Sequence, residues 1–408
     1  MFRILPLLFL SLPLYVSAQL GGSPYSSFGV GTRNLNGTGQ QHALAGNGVA
    51  LRSRYFVNAR NPAAYTAIAE PINFIFSTGF HLDVNTFSTN EESIWQRDGG
   101  LSHLGFYVRP SSKYAFTFGL EPYSTVEYDI QSPLPDDEFG NTYRARNVGS
   151  GGLNKLYWGH GVQLPFNISL GGKVGFIFGN IAREEILNSG DPLSSFTVRS
   201  DNALRGWALD LGLQYALPLG EDELTIGATY ASQVDFRNSL NTELLIIGDS
   251  LRYENDYATG EFSAPRSYSV GIGFRRPSWQ MNAEAGFEGW ADTDNDAAVG
   301  WLDVFSVGLS GEYSLRRKRY YSYAQGILLR GGVTCRDGNK SVNGTSFDEL
   351  VVSAGLGVPM GRGRNHVNLS YSYHRTGTLD NGLILENRHS IGVTFSLRDR
   401  WFQQRKFN

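Results

Sequence analysis

From residue 72 onward, apolar side chains recur at every second position, a spacing that places them on one face of an extended strand. In the first run, Ile72, Phe74, Phe76, Phe80, Leu82 and Val84 alternate with Asn73, Ser77, Gly79, His81 and Asp83, and Ile75 is the apolar exception on the second face. The alternation returns in Ile168, Leu170, Val174, Phe176 and Phe178, in Trp207, Leu209, Leu211, Leu213 and Tyr215, in Tyr268, Val270, Ile272 and Phe274, and in Ile391, Val393, Phe395 and Leu397. A soluble sandwich would turn its polar face to water and carry many Lys and Glu there. Here that face carries mainly Gly, Ser, Thr, Asn and Ala, small residues that suit a crowded barrel interior.

The links carry a second constraint. Strands are expected near 72–84, 101–109, 113–126, 153–164, 167–180, 204–218 and 222–234, and again near 266–276, 278–292, 302–316, 320–334, 349–360, 364–376 and 388–400. Between them, long and short connections alternate: 127–152 is long, Pro165 to Phe166 short, 181–203 long, Leu219 to Glu221 short. Outer-membrane barrels have short periplasmic turns, long outer loops and an even strand count. The expected fold class is therefore all-β, a membrane-spanning antiparallel barrel of about fourteen strands. Several strands exceed the ~9 to 11 residues needed to cross hydrocarbon and should extend past the outer leaflet. With the chain entering from the periplasmic side, Trp207 and Trp301 fall near the outer edge and Trp279 and Trp401 near the inner edge, where amphipathic rings favour the headgroup level.

The first residues agree with export. Arg3, an apolar run from Ile4 to Val16, and small residues at Val16 and Ala18 read as a signal peptide over 1–18. That run is about 13 residues, short of the roughly 20 that a spanning helix needs, and Pro6 and Pro13 break it. A mean hydropathy of -0.25 does not argue against insertion, because alternation dilutes the apolar signal of barrel strands. A net charge of -3 and the lack of a basic cluster interleaved with base-stacking motifs give no footprint for nucleic acid. Cys335 is the only cysteine and forms no internal disulfide. The division expected is signal peptide 1–18, hatch or plug segment 19–70, barrel 71–402 and periplasmic tail 403–408.

Segment 19–70 has Gly, Ser and Asn clusters, Pro24 and Pro62, and no sustained period. Its apolar residues, among them Tyr25, Phe28, Leu44, Val49, Leu51, Tyr55 and Phe56, need cover that a barrel lumen supplies. A periplasmic extension that docks a partner is the alternative. Within it, the run from Gln41 to Ile68 with Gly46-Asn47-Gly48-Val49-Ala50 and then Asn61-Pro62-Ala63 resembles the N-terminal hatch of the FadL-like outer-membrane superfamily and its NPA motif. The resemblance implies fourteen strands, a lumen hatch, and passage of small hydrophobic compounds, often by lateral exit. PorV-like members of the superfamily serve protein secretion instead. The opening Ser23-Pro24-Tyr25-Ser26-Ser27-Phe28-Gly29 and the ending from Trp401 to Lys406 are similar to an uncharacterised branch of such barrels.

Asn61, Pro62 and Ala63 are the candidate ligand or hatch residues by that resemblance. Pro62 removes a backbone donor and restricts Asn61 to extended conformations, so the motif makes a rigid turn. The same turn equally serves to aim the chain into the first strand. Asp292, Asp294 and Asp296, with Asp303 beyond, have the oxygen-rich spacing of a calcium loop, but Ala297 stands where such a turn needs glycine, and solvated loop carboxylates are the plainer reading. A catalytic arrangement is not expected. His389 and Ser390 point to opposite faces, and His366 and His374 lie roughly 27 Å apart on one strand at ~3.3 Å per residue. No cofactor is called for. Inner turns are basic, at Arg275-Arg276 and from Arg316 to Arg319, and outer loops acidic, at Glu91-Glu92 and from Asp136 to Glu138. Gly171, Gly172 and Gly212 either kink the wall or fit the lumen face. Two functions follow: passive transport of small hydrophobic compounds, or a non-transporting subunit of a secretion or assembly complex. The expected partners are outer-membrane lipid and lipopolysaccharide, a hydrophobic ligand, or a protein of that complex.

Overall fold

The computed structural model describes residues 22–34, 39–134, 144–188, 196–246, 249–293, 295, 299–315, 326–342, 344–360 and 365–401. The expected signal peptide 1–18 and tail 403–408 lie outside them, as do the basic run from Arg316 to Arg319 and the acidic run from Asp136 to Glu138.

Fourteen antiparallel strands close into a barrel. They are β1 (Phe74–Ser88), β2 (Ser93–Ser111), β3 (Tyr114–Pro133), β4 (Arg144–Gln163), β5 (Ile168–Asn188), β6 (Phe196–Leu219) and β7 (Asp222–Ala231). The second half comprises β8 (Ser267–Arg275), β9 (Trp279–Glu288), β10 (Val304–Leu315), β11 (Ile327–Val342), β12 (Thr345–Met360), β13 (Asn365–Thr376) and β14 (Leu385–Asp399). Closure comes from β14 on β1, paired without interruption from Leu385 opposite Ser88 to Asp399 opposite Phe74. In hydrocarbon this is obligatory, since no water is there to satisfy an open edge.

Most strands run further outward than the alternation predicts, because polar, non-alternating residues above the bilayer still pair. The connection after β7 is the largest departure. It is a hairpin, Val234–Ile246 with Asp249–Ala264, that continues the wall and pairs with the outer part of β6 from Phe196 to Arg205.

The two faces of each strand differ as expected. On β6, Trp207, Leu209, Leu211, Leu213 and Tyr215 are exposed, while Gly206, Ala208, Gly212, Gln214 and Ala216 are buried. Leu82 and Trp207 are 67% and 68% exposed, and acyl chains rather than water solvate such positions. Aromatic contacts cluster at two levels: Phe176 with Trp207 at 5.0 Å, Tyr230 with Tyr268 at 5.2 Å and Phe287 with Phe305 at 5.0 Å toward the outer side, and Phe74 stacked on Trp401 at 3.7 Å at the inner rim. Trp301 is not part of that outer girdle. It stacks at 5.0 Å on the buried Trp290 and lies over Gly29 of the N-terminal segment. Ile75, the exception in the first strand, points inward and packs with Tyr65, Ile68, Tyr107 and Ala115 where the N-terminal segment meets β1.

The lumen is occupied by residues 22–34 and 39–72, which include three short 3-10 turns, Pro24–Ser27, Gln41–Leu44 and Pro62–Ala67. The strands admit this backbone by withholding side chains. A Cβ at Gly171 on β5 would overlap Pro62, at Gly212 on β6 Asn61, at Gly227 on β7 Val49, at Gly308 on β10 Asn47, at Gly332 on β11 Leu44, and at Gly355 on β12 Ala43. Glycine here serves close approach, not a kink in the wall. Gly172, one residue on, faces outward, and a Cβ there meets nothing nearer than Leu211 at 3.7 Å.

This contrast is directly testable. Gly171→Val is expected to destabilise the folded barrel by roughly 1–3 kcal/mol or more through overpacking against Pro62, whereas Gly172→Val is expected to be neutral. Heat-modifiability on gels, read as the temperature at which the compact band is lost, checks both.

Candidate functional site

The N-terminal segment crosses the lumen from the outer mouth to the inner rim, which was not anticipated for a chain entering its first strand from the periplasm. Its outer end is held by outer ends of strands and loops. The Ser23 hydroxyl donates to Glu386 at 2.5 Å, Tyr25 to the Ile384 carbonyl at 2.7 Å, and Lys340 to the Tyr25 carbonyl at 2.7 Å. Burial pushes the Tyr25 phenol up to about 12, so it stays protonated and remains a donor. Tyr25 also packs at 4.3 Å on Phe347.

Mid-lumen, side-chain amides and carboxylates satisfy a segment that has almost no regular structure. Glu284 on β9 accepts the Gly48 and Val49 N–H groups at 2.7 and 2.9 Å. The Asn58 amide donates to the Gly48 and Leu51 carbonyls at 2.7 and 2.9 Å, and its oxygen accepts Arg60 N–H at 2.8 Å. Arg52 donates to Gln214 on β6 at 3.0 Å and Ser169 on β5 at 3.2 Å. These are the pairings that buried polar groups require.

Asn61, Pro62 and Ala63 come together at this wall. Asn61 is fully buried; its oxygen accepts Ala63 N–H at 3.0 Å, capping the Pro62–Ala67 turn, and its amide donates to the Val49 carbonyl at 2.7 Å and the Leu213 carbonyl of β6 at 3.3 Å. The motif thus ties two passes of the plug to the barrel. At the inner rim, Tyr107 donates to the Tyr65 carbonyl and Arg109 to the Ile68 carbonyl, both at 2.7 Å.

The remaining expected sites fall apart in space. Asp294 and Asp296 lie outside the described residues. Asp292 pairs with Arg266, Asp303 accepts Ala291 N–H at 3.0 Å, and Asn295 is bonded to the Ser263 backbone at 2.8 Å, so these groups hold the loop on the outer hairpin. Among the described residues no group of three or more His, Cys, Asp or Glu is placed to hold a metal ion. His366 and His374 are both buried in the lumen on separate partners, Arg398 and Ser372. Arg275 and Arg276 at an inner turn pair with Glu223 and Asp222 at 2.9 and 3.1 Å.

Two features were missed in the sequence. One is a polar cavity of about 200 Å³ in the outer lumen, lined by His42, His81, Asp83, Arg336, Glu349 and Arg388 among others. The second is a seam in the wall. Strand β2 pairs with β1 from Phe74 opposite Val108 to Ser88 opposite Ser93, but with β3 no further outward than Leu104 opposite Leu120. Above that level β2 and β3 part, and β3 is irregular between Pro122 and Ser124. Its freed edge is met instead by the N-terminal segment: Thr32 and Arg33 pair with Thr125 and Ser124, Asn34 N–H donates to the Tyr123 carbonyl at 2.9 Å, and Ser26 bonds the Glu127 backbone at 3.0 and 3.1 Å. Asp98 and Ser102 of β2 and Pro122 and Thr125 of β3 reach the cavity at the seam. Pro122 carried the signal, since a proline inside a strand removes a ladder donor and marks an edge or bulge.

A family model named BamG matches residues 1–408. The chain belongs to the BamG family. That family is one of outer-membrane barrels, and the protein is located in the outer membrane. Its barrel is similar to solved FadL-family structures. These include the Ralstonia pickettii toluene transporter TbuX (15% identity, TM-score 0.59, 90% of this chain and 99% of that one) and the P. putida toluene transporter TodX (14%, 0.59, 91% and 100%). A Pseudomonas aeruginosa FadL homologue is also similar (14%, 0.53, 90% and 98%). At these identities the likeness shows the fold. No curated protein matches the sequence.

Replacing Asn61 with Ala leaves the Ala63 N–H without its partner and takes one of two amides from the Val49 carbonyl, which keeps Gln214 at 2.9 Å, a cost of roughly 1–3 kcal/mol. The expected result is a barrel that still folds but whose plug is cut faster by added protease in detergent, with the first new site between residues 41 and 68.

Proposed function

We propose that this barrel is a non-transporting subunit of an outer-membrane secretion or assembly complex. The observation that carries the reading is how the plug is held. Its backbone is bonded to strands around the lumen, and the space left on its outer side sets Asp83, Arg336, Glu349 and Arg388 beside Tyr25, Trp290 and Phe347, so a hydrophobic solute there would lie against charged groups. Membership of the BamG family points the same way, toward an outer-membrane complex.

Passive transport of small hydrophobic compounds is the second reading. It is favoured by the fold shared with the toluene transporters and by the parted β2 and β3 strands, which supply a break in the wall. In that reading Asn61, Pro62 and Ala63 hold the plug that a ligand must pass.

Native outer membranes solubilised in mild detergent separate the two. A stoichiometric protein partner with no bound apolar molecule by mass spectrometry, and no toluene uptake into proteoliposomes above that of empty vesicles, is the expected result. A lone barrel that carries an apolar ligand and accelerates toluene entry overturns it in favour of transport.

A further inference from the structure

The seam leaves an edge that no described residue of the chain fills. On β3 the N-terminal segment occupies positions Tyr123 to Glu127. Among the described residues, Ser93 to His103 of β2 are paired on one side only, to β1. An open edge presents a row of N–H and C=O groups, and inside a membrane such groups must be wet or covered by protein. The lower part of this edge opens on the cavity, which Asp98 and Ser102 line. The upper part does not reach it.

That upper part has the makeup of a pairing strand. Sheet edges are blunted by charge, Pro, Gly or bulges, and β2 carries those devices only from Arg97 inward, in Arg97-Asp98-Gly99-Gly100 and in the irregularity opposite Gly79 and Phe80. Ser93-Ile94-Trp95-Gln96 carries none. Ile94 and Trp95 are 49% and 61% exposed, and the Arg97 guanidinium lies 4.8 Å from the Trp95 ring centre. Trp95 stands opposite Thr86, above Leu82 and Val84 of the lipid-facing run, which sets this stretch at the outer interface. The opposite lip of the same seam already accepts an extended peptide, antiparallel, in Thr32 and Arg33.

We propose that Ser93–Arg97 of β2 is a strand-addition site for an extended segment of a partner subunit, with an apolar side chain of that segment against Trp95. Main-chain bonds supply the affinity, and the Trp95 surface selects the side chain. This rests on the reading of the barrel as a complex subunit.

The test places a photoreactive residue singly at Ile94, Trp95, Gln96 and Arg97 of the full chain in native outer membranes and maps each adduct by peptide sequencing. Consecutive positions are expected to join consecutive residues of one foreign polypeptide, stepping steadily in one direction, as only a paired strand does. A control at Val307, on the lipid face of β10, is expected to join lipid. Trp95→Lys, whose charge blunts an edge, is expected to lower adduct yield at Ile94 and Gln96 about tenfold while heat-modifiability shows the barrel intact. Adducts with lipid, with a second copy of this chain, with scattered sites, or none at all overturn the proposal. If a stoichiometric partner co-purifies and ordered adducts are absent, only the strand-addition site fails. If no partner co-purifies, the complex reading fails with it.

Discussion

Every backbone polar group at membrane depth must find a partner, and the architecture follows from that one requirement. Closure of β14 on β1 meets it for most of the wall, with an unbroken ladder over the full length of both strands. Where β2 and β3 part, the ladder fails, and the chain answers with two substitutes: an N-terminal strand on β3, and a cavity beside β2 with room for several waters. The lumen obeys the same rule. A plug of almost irregular backbone is stable there because Glu284, Asn58, Asn61 and Gln214 bond its N–H and C=O groups. Each of these side chains stands in for the ladder that the plug does not make.

Charge inside the barrel is arranged by the same economy of partners. Lys155 and Lys173 share Asp210 at 2.6 and 3.2 Å, and Arg330 meets Glu312 at 2.6 Å and Asn368 at 2.8 Å. Removing one member of such a group leaves an uncompensated buried charge, so these clusters lock the plug and strands into one arrangement more than they add net stability. A lumen built this way is costly to open. Passage of an apolar solute would have to break charge-assisted bonds and leave them unpaired, which is why the polar interior weighs toward a subunit that presents surfaces rather than one that conducts.

Much of this was legible in the sequence, and the reasons differ by element. Period-two alternation identified the lipid face of β1, β5, β6, β8 and β14, because lipid and lumen impose opposite demands on adjacent residues. The lumen-facing glycines were visible as residues but ambiguous in role. Gly171 and Gly172 are neighbours with opposite functions, and only the position of Pro62 distinguishes them. The outer hairpin of Val234–Ile246 and Asp249–Ala264 was hidden because strands above the bilayer lose the lipid face that creates the alternation. Trp301 misled for a related reason: its register placed it at a rim, while a break after it turned its ring onto Trp290 and Gly29. Asn61, Pro62 and Ala63 were singled out by resemblance, and their contacts with Val49 and Leu213 depend on a second pass of the plug that no local pattern encodes.

The seam and the plug are one device rather than two. Residues 31–34 cover the β3 edge, residues 41–50 fit the glycines of β7 to β12, and residues 58–66 pin the plug to β5 and β6. The plug and the strand on the β3 edge thus belong to one N-terminal segment. The Pro122 irregularity matters for this arrangement, since a regular β3 would pair with β2 to its outer end and leave no place for Thr32 and Arg33. A barrel that needed only to be plugged would have no use for such a break. Its cost in lost ladder bonds is sustained where an edge is kept available, and β2 from Ser93 to Arg97 is the edge that this wall keeps.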